Sequence, residues 1–264
     1  MLLTAIIIVL REVLEAALLI SLLASVRRYL DIKFIHFFTA LSLGCIGAYV
    51  YAENLSSISE LFDYTGQEWV NSTMHLGIYL FLGLFTVFLR LNKENMQRLK
   101  VWMRLLMLAP VALIVIREGS EVYIYINSFF QTDRPVFPVV VGSIIGSSIG
   151  LSIGVLIYYT LLSCSLKIRF LTVKIALSVI ACSVLSQAVA LLLQADVLYS
   201  YPSLWDTSEY LSEESVIGQL LYAMIGYEAT PAPQQAIAYA GGLVLIAFGV
   251  LLNKYYGYKN NVDC

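Results

Sequence analysis

The chain has 264 residues, of which 59% are hydrophobic and only 13% charged, with a mean hydropathy of +0.81. Soluble globular domains carry charge on roughly a quarter of their residues, so this composition excludes one and indicates an all-α, polytopic membrane protein. The formal charge of −2 averages a basic and an acidic surface and gives no reason to expect nucleic acid as a partner.

A bilayer-spanning helix needs about 20 apolar residues. Runs of that kind fall at residues 2–25, 34–55, 72–91, 102–127, 136–163, 172–195 and 234–253, which predicts seven transmembrane helices in a single membrane domain over 1–264. The first run has no basic stretch before it, is long and carries its charges mid-run, so it reads as a mature helix and not as a cleaved signal sequence. The fifth contains "GSIIGSSIGLSIG", which spaces Gly142, Gly146, Gly150 and Gly154 four apart and lines one helix face with almost no side chain. Such a stripe permits close helix packing, inside the bundle or in a homo-oligomer. Residues 216–227, "VIGQLLYAMIGY", are too few to cross, and the prolines of the following "EATPAP" break the chain before the last span. They predict a short interfacial or re-entrant helix.

Basic residues stay on the cytoplasmic side during insertion. Here Arg27, Arg28 and Lys33 follow the first span; Arg90, Lys93, Arg98, Lys100 and Arg104 surround the third connection; Lys167, Arg169 and Lys174 lie at the fifth; and Lys254 and Lys259 are at the end. The alternate connections hold one basic residue, Arg134, and gather the acids: Glu53, Glu60, Asp63 and Glu68, then Asp133, then Asp196, Asp206, Glu209, Glu213, Glu214 and Glu228. The expected topology has the N-terminus outside, the C-terminus cytoplasmic and an acidic outer face. The short loops favour a bacterial inner membrane as the plasma membrane concerned.

"REVLE" at residues 11–15 recurs as "REGSE" at residues 117–121, 106 residues later, and two spans follow each. The chain therefore divides into two three-helix repeats, 1–91 and 101–195, with the short helix and the seventh span in 216–253. Three is odd, so the repeats must be inverted across the membrane, an arrangement that puts substrate sites near the midplane. At about 100° per residue, Arg11, Glu12 and Glu15 share a sector about 100° wide, as do Arg117, Glu118 and Glu121. Intramembrane charges are tolerated only towards the bundle interior or water. One reading is simple ion pairing that pins helices together. Two arginines, however, offset only two of four glutamates, and the remaining carboxylates favour a cation. Carboxylate oxygens suit hard ions such as Mg²⁺, Ca²⁺, Mn²⁺ and iron, and no Cys or His stands beside the motifs to suggest zinc or copper. Cys45, Cys164, Cys182 and Cys264 show no CxxC spacing and read as packing residues. His36 and His75, placed at the starts of the second and third spans, read as interfacial or packing residues. Tyr123 and Tyr125, just after the second motif, offer hydroxyls to a ferric ion, although most of the 18 tyrosines suit the membrane interface.

Two intramembrane REXXE motifs in the first and fourth of seven spans, with "SQAVALLLQADVL" in the sixth and "GYEATPAPQQAIAY" before the seventh, resemble the oxidase-dependent iron permease family of fungal ferric permeases and bacterial EfeU-like permeases. The resemblance covers essentially the whole chain. It implies iron uptake, with Glu12, Glu15, Glu118 and Glu121 handling iron as transported Fe²⁺ or Fe³⁺, Arg11 and Arg117 in support, and no resident cofactor. It also implies an extracytoplasmic oxidase or a periplasmic iron-delivery protein as partner. Ser120 stands where the family usually has Leu, a change expected to alter local packing or hydration. In the expected mechanism outer acids, Glu209, Glu213 and Glu214 among them, capture iron, the four glutamates pass it on, and the repeats rock to release it inward. The alternatives are a proton-coupled transporter of another hard divalent cation and a non-transporting assembly subunit. The chain shows no Ser/His pair, haem ligands or HExxH that would indicate an enzyme.

Overall fold

The computed structural model describes residues 1–89, 100–130, 135–213 and 215–262, and all the regular structure among them is helical. Arg90, Lys93, Arg98, Asp133, Arg134, Glu214 and Cys264 lie outside the described residues. The described elements are α1 (Leu2–Val26), α2 (Phe34–Glu53), α3 (Leu55–Ser59), α4 (Gly66–Phe88), α5 (Lys100–Phe130), α6 (Val136–Ser163), α7 (Leu166–Gln194), α8 (Val216–Ile225) and α9 (Pro233–Val262). Five of them, α2, α4, α6, α7 and the Pro233–Tyr255 part of α9, are long and apolar enough to cross a membrane. The 25-residue α1 and 31-residue α5 are also long enough, but each carries the three charges of a REXXE motif.

The helices α4 and α7 each begin six residues before the predicted spans. Their first turns, "GQEWVN" and "LKIRFL", are too polar to register as membrane-crossing yet have no reason to leave helical geometry at an interface. Hydropathy therefore finds the crossing segment and misses the helix ends. The short α3 was not expected. The predicted short helix is present as α8, started by the Ser215 hydroxyl, which accepts from the Gly218 N–H at 3.0 Å, and stopped by Gly226 at φ +70°.

Close helix pairs carry the architecture. The glycine stripe of α6 lies against α1, running parallel to it: a Cβ at Gly142 would stand 2.7 Å from the Leu2 carbonyl oxygen, at Gly146 2.6 Å from that of Ile6, and at Gly154 2.8 Å from the Ala17 Cβ. The stripe is thus used for packing inside the bundle, and the Ser21 hydroxyl fastens it by donating to the Gly154 carbonyl at 2.7 Å. A similar parallel pairing joins α2 to α5. There a Cβ at Gly44 would meet the Val115 Cβ at 2.7 Å, and one at Gly119 would meet the Ala48 Cβ at 3.2 Å. The helix α4 packs on α7, with the Ser72 hydroxyl donating to the Ala188 carbonyl at 3.1 Å, and α9 covers both.

The small residues of these seams repeat. Ala40, Gly44 and Ala48 of α2 precede Gly146, Gly150 and Gly154 of α6 by 106 residues each, the offset that separates the two REXXE motifs. Beyond Glu15 in α1 and before Arg117 in α5 the bundle is mainly apolar, filled by Leu19, Leu23, Ile78, Leu82, Phe85, Met107 and Leu177, all fully buried, with Ser21, Ser25 and Thr86 among them. Burying such side chains stabilises a helix bundle mainly through close packing, since lipid is as apolar as they are.

Candidate cation site

The seams α1–α6 and α2–α5 leave the opposite faces of α1 and α5 to meet each other and carry both motifs inward. Glu12, Glu15 and Glu118 are 1%, 6% and 2% exposed, and Arg117 is 8% exposed. Arg117 stands among the carboxylates: its Nη1 is 2.6 Å from both oxygens of Glu118, 3.6 Å from Glu15 Oε2 and 3.7 Å from Glu12 Oε2, and its Nη2 is 3.0 Å from Glu121 Oε1. Arg11 is different. Its Nε donates to Glu12 Oε1 at 2.9 Å, its guanidinium lies 5.7 Å from the Tyr222 ring centroid, and about a third of its side chain is exposed. Arg117 makes the expected i, i+4 contact with Glu121, whereas Arg11 turns to its immediate neighbour Glu12 and not to Glu15.

One carboxylate oxygen from each of Glu12, Glu118 and Glu121 lies within 4.8 Å of the others, a spacing on which a cation can be held. Glu12 Oε2 and Glu15 Oε1 are buried and accept no hydrogen bond from the described residues. Four carboxylates against two guanidinium groups leave two formal negative charges in a low-dielectric layer, and burial of each costs several kcal/mol unless a cation or proton neutralises it. The donors are all oxygen, which suits a hard cation.

The two motif residues nearest the start of α1 and the end of α5, Arg11 and Glu121, have side chains 31% and 32% exposed, while those of Glu15 and Arg117 are 5% and 10% exposed. Removing the central charge is expected to be severe. Arg117→Met leaves Glu12, Glu15, Glu118 and Glu121 without their shared partner, and breaking a buried ion cluster costs about 3–5 kcal/mol. Thermal unfolding in detergent should show that loss, and a metal ion added to the variant should restore part of it.

The other residues singled out in the sequence fall elsewhere. The Tyr123 hydroxyl donates to Glu53 Oε1 at 2.6 Å, and the Tyr125 ring packs edge-on against Phe129, with centroids 5.3 Å apart. Glu209 is exposed. Glu213 is also exposed and bridges the loop, its Oε1 accepting from the N–H of Ala229 at 2.5 Å and of Thr230 at 3.4 Å. Ser120, in place of the usual Leu, is 1% exposed and donates to the Arg117 carbonyl at 2.7 Å. Cys45, Cys164 and Cys182 are free thiols.

Sequence reasoning missed two neighbours of the site. Tyr222, on α8, reaches Arg11 because Ala223 of the same helix packs with Leu14 and Leu18 of α1. His75 is nine residues inside α4, not at its start, and is 1% exposed. No local motif signals either one.

In the α8–α9 loop, burial and the nearby Glu213 push the Glu228 carboxyl up to about 7, while Gln235, donating to it at 2.6 Å, opposes the shift. The folded chain therefore holds this proton between about pH 4.5 and 7, where the unfolded chain has lost it, so its contribution to stability falls as pH rises through that window. Melting curves from pH 5 to 8 should show this decline in the unmodified protein and less of it in Glu228→Gln.

No curated protein and no solved structure matches the chain. A sequence model does match: residues 103–261 fit the iron permease FTR1 family, a stretch that includes Arg117, Glu118 and Glu121 and covers more than half of the 264 residues. With buried acidic motifs set among membrane-spanning helices, the chain belongs to the iron permease FTR1 family.

Proposed function

We propose that this multi-pass membrane permease carries iron ions into the cytoplasm through a midplane site made of Glu12, Glu15, Glu118 and Glu121. The observation that carries the reading is the gathering of three carboxylates within 4.8 Å beside a guanidinium that touches all four. Arg117 acts as a placeholder: it pairs with the carboxylates and holds them apart, and an arriving cation takes over its contacts.

The seven long helices form two inverted repeats plus α9. Exchanging α1 with α5, α2 with α6 and α4 with α7 turns the α1–α6 pair into the α5–α2 pair and leaves α4–α7 on itself, as a pseudo-two-fold axis requires. The 106-residue offset shared by the REXXE motifs and the small-residue stripes supports the same relation. The basic ends of α1, α5 and α7 face the cytoplasm and the acidic loops face outward. The glutamates are then open to the outside at Arg11 and Glu121 and sealed inward by the apolar plug, an outward-facing state of an alternating-access cycle. The acidic outer loops suit docking of an extracytoplasmic oxidase or periplasmic delivery protein.

Labelled Fe²⁺ and Fe³⁺ uptake into proteoliposomes tests the reading. Saturable iron flux that an excess of Ca²⁺ or Mg²⁺ leaves intact is expected. Flux that prefers another divalent ion would make the chain a transporter of that ion, and flux equal to empty liposomes would make it an assembly subunit.

A further inference from the structure

For a cation to bind among Glu12, Glu118 and Glu121, the Arg117 guanidinium must withdraw, because its two terminal nitrogens already touch all three. A buried guanidinium that leaves its carboxylates needs another acceptor, since a charged donor without one is heavily penalised in a low-dielectric layer. The bundle below the site is mainly apolar, and its buried unpaired acceptors besides His75, among the described residues, are the Thr86 hydroxyl and the Gln187 side-chain carbonyl oxygen. Arg11 already occupies Glu12 on the open side.

His75 meets the requirement. It is 1% exposed, and neither ring nitrogen makes a hydrogen bond of normal geometry among the described residues, although the Asn71 carbonyl one turn earlier is near the ring. Buried polar groups in folded proteins are overwhelmingly paired, and an orphan imidazole calls for an explanation. Arg117 Nε is likewise buried and unpaired. At about 1.5 Å per residue, His75 lies about 14 Å along α4 from Gly66, Glu12 about 15 Å along α1 from Leu2, and Glu121 about 14 Å along α5 from Phe130. The helix α4 packs directly on α5, where a Cβ at Gly77 would lie 3.3 Å from Leu113 Cδ1, within about a turn of both His75 and Arg117. The helical neighbourhood is fixed, because the Tyr51 hydroxyl holds Asn71 at 3.0 Å and Ser72 holds α7.

We propose that His75 is the resting partner of Arg117 in the iron-loaded state: a ring nitrogen accepts from the guanidinium when the ion takes the carboxylates. His75 is then a positioning residue that sets iron affinity through Arg117 without touching the ion. The inference rests on the glutamate site proposed above.

Equilibrium binding of Fe²⁺ under anaerobic conditions to the purified full-length protein in detergent provides the test, with His75→Phe, His75→Gln, Arg117→Gln, the His75→Phe/Arg117→Gln pair and Glu118→Gln compared. Loss of one charge-assisted acceptor from the loaded state is expected to weaken Fe²⁺ binding about tenfold or more in His75→Phe. His75→Gln, which keeps an acceptor, should recover most of it, and the His75→Phe effect should vanish when Arg117 is already Gln. If His75→Phe does not fold, His75→Ala carries the same expectation. Unchanged affinity in the His75 variant, or the same loss with and without Arg117, overturns the proposal. Glu118→Gln separates the two levels: if it loses binding while His75→Phe does not, only the role of His75 falls. If it binds as the unmodified protein does, the glutamate site itself falls.

Discussion

Glu118→Gln is expected to abolish iron transport while leaving a folded protein. Glu118 accepts from Arg117 through both oxygens and belongs to the carboxylate triad, so glutamine keeps one acceptor and nearly the same volume but removes a ligand charge. Removing a group that merely orients a metal ligand costs roughly 10- to 100-fold, so loss of a ligand should cost at least about 100-fold in iron affinity. Glu12→Gln and Glu121→Gln should behave alike, because their oxygens complete the triad. Glu15→Gln should be milder at the binding step, since Glu15 meets Arg117 only at 3.6 Å and stands outside the three-carboxylate group. Equal losses at all four positions would argue for a larger, symmetric coordination shell than the triad.

Gly146→Leu is the second large effect, and it acts on the fold. A side chain there meets the Ile6 carbonyl oxygen at 2.6 Å and the Leu10 backbone nitrogen at 3.0 Å, atoms that cannot rotate away. Overpacking a tight seam costs about 3 kcal/mol, and forcing α6 off α1 also displaces Glu12 and Glu15, which α1 presents on its other side. Thermal unfolding in detergent should fall sharply and iron binding should fall with it. Gly241→Leu in α9 is the matched control, because a Cβ at Gly241 has nothing within 4 Å. Equal destabilisation of the two variants would contradict the assignment of the stripe to the α1–α6 seam.

The parts legible in the sequence are those that depend on strong local contrasts. Charges inside apolar runs identify the motif helices because the bilayer interior penalises them, and the four-residue glycine spacing marks a packing face whatever its partner. Helix ends were less legible: the polar first turns of α4 and α7 continue helices that hydropathy alone starts six residues later. The unequal roles of Arg11 and Arg117 could not be read, because the two motifs are nearly identical in sequence and differ only in surroundings. Arg11 meets Tyr222 and Glu12, while Arg117 meets the glutamates of both helices. His75 was hidden for the same reason. A lone histidine near a polar helix start looks interfacial until packing shows the helix beginning nine residues earlier. The α2 stripe escaped notice because two of its three members are alanine, and only the offset from α6 sets it apart from ordinary composition.

The most direct measurement is labelled-iron uptake by proteoliposomes carrying the unmodified protein or Glu118→Gln at matched, folded reconstitution. The account predicts saturable uptake by the first and a fall of at least about 100-fold in the second. Undiminished uptake by Glu118→Gln would contradict it, and would return the paired REXXE motifs to structural ion pairing.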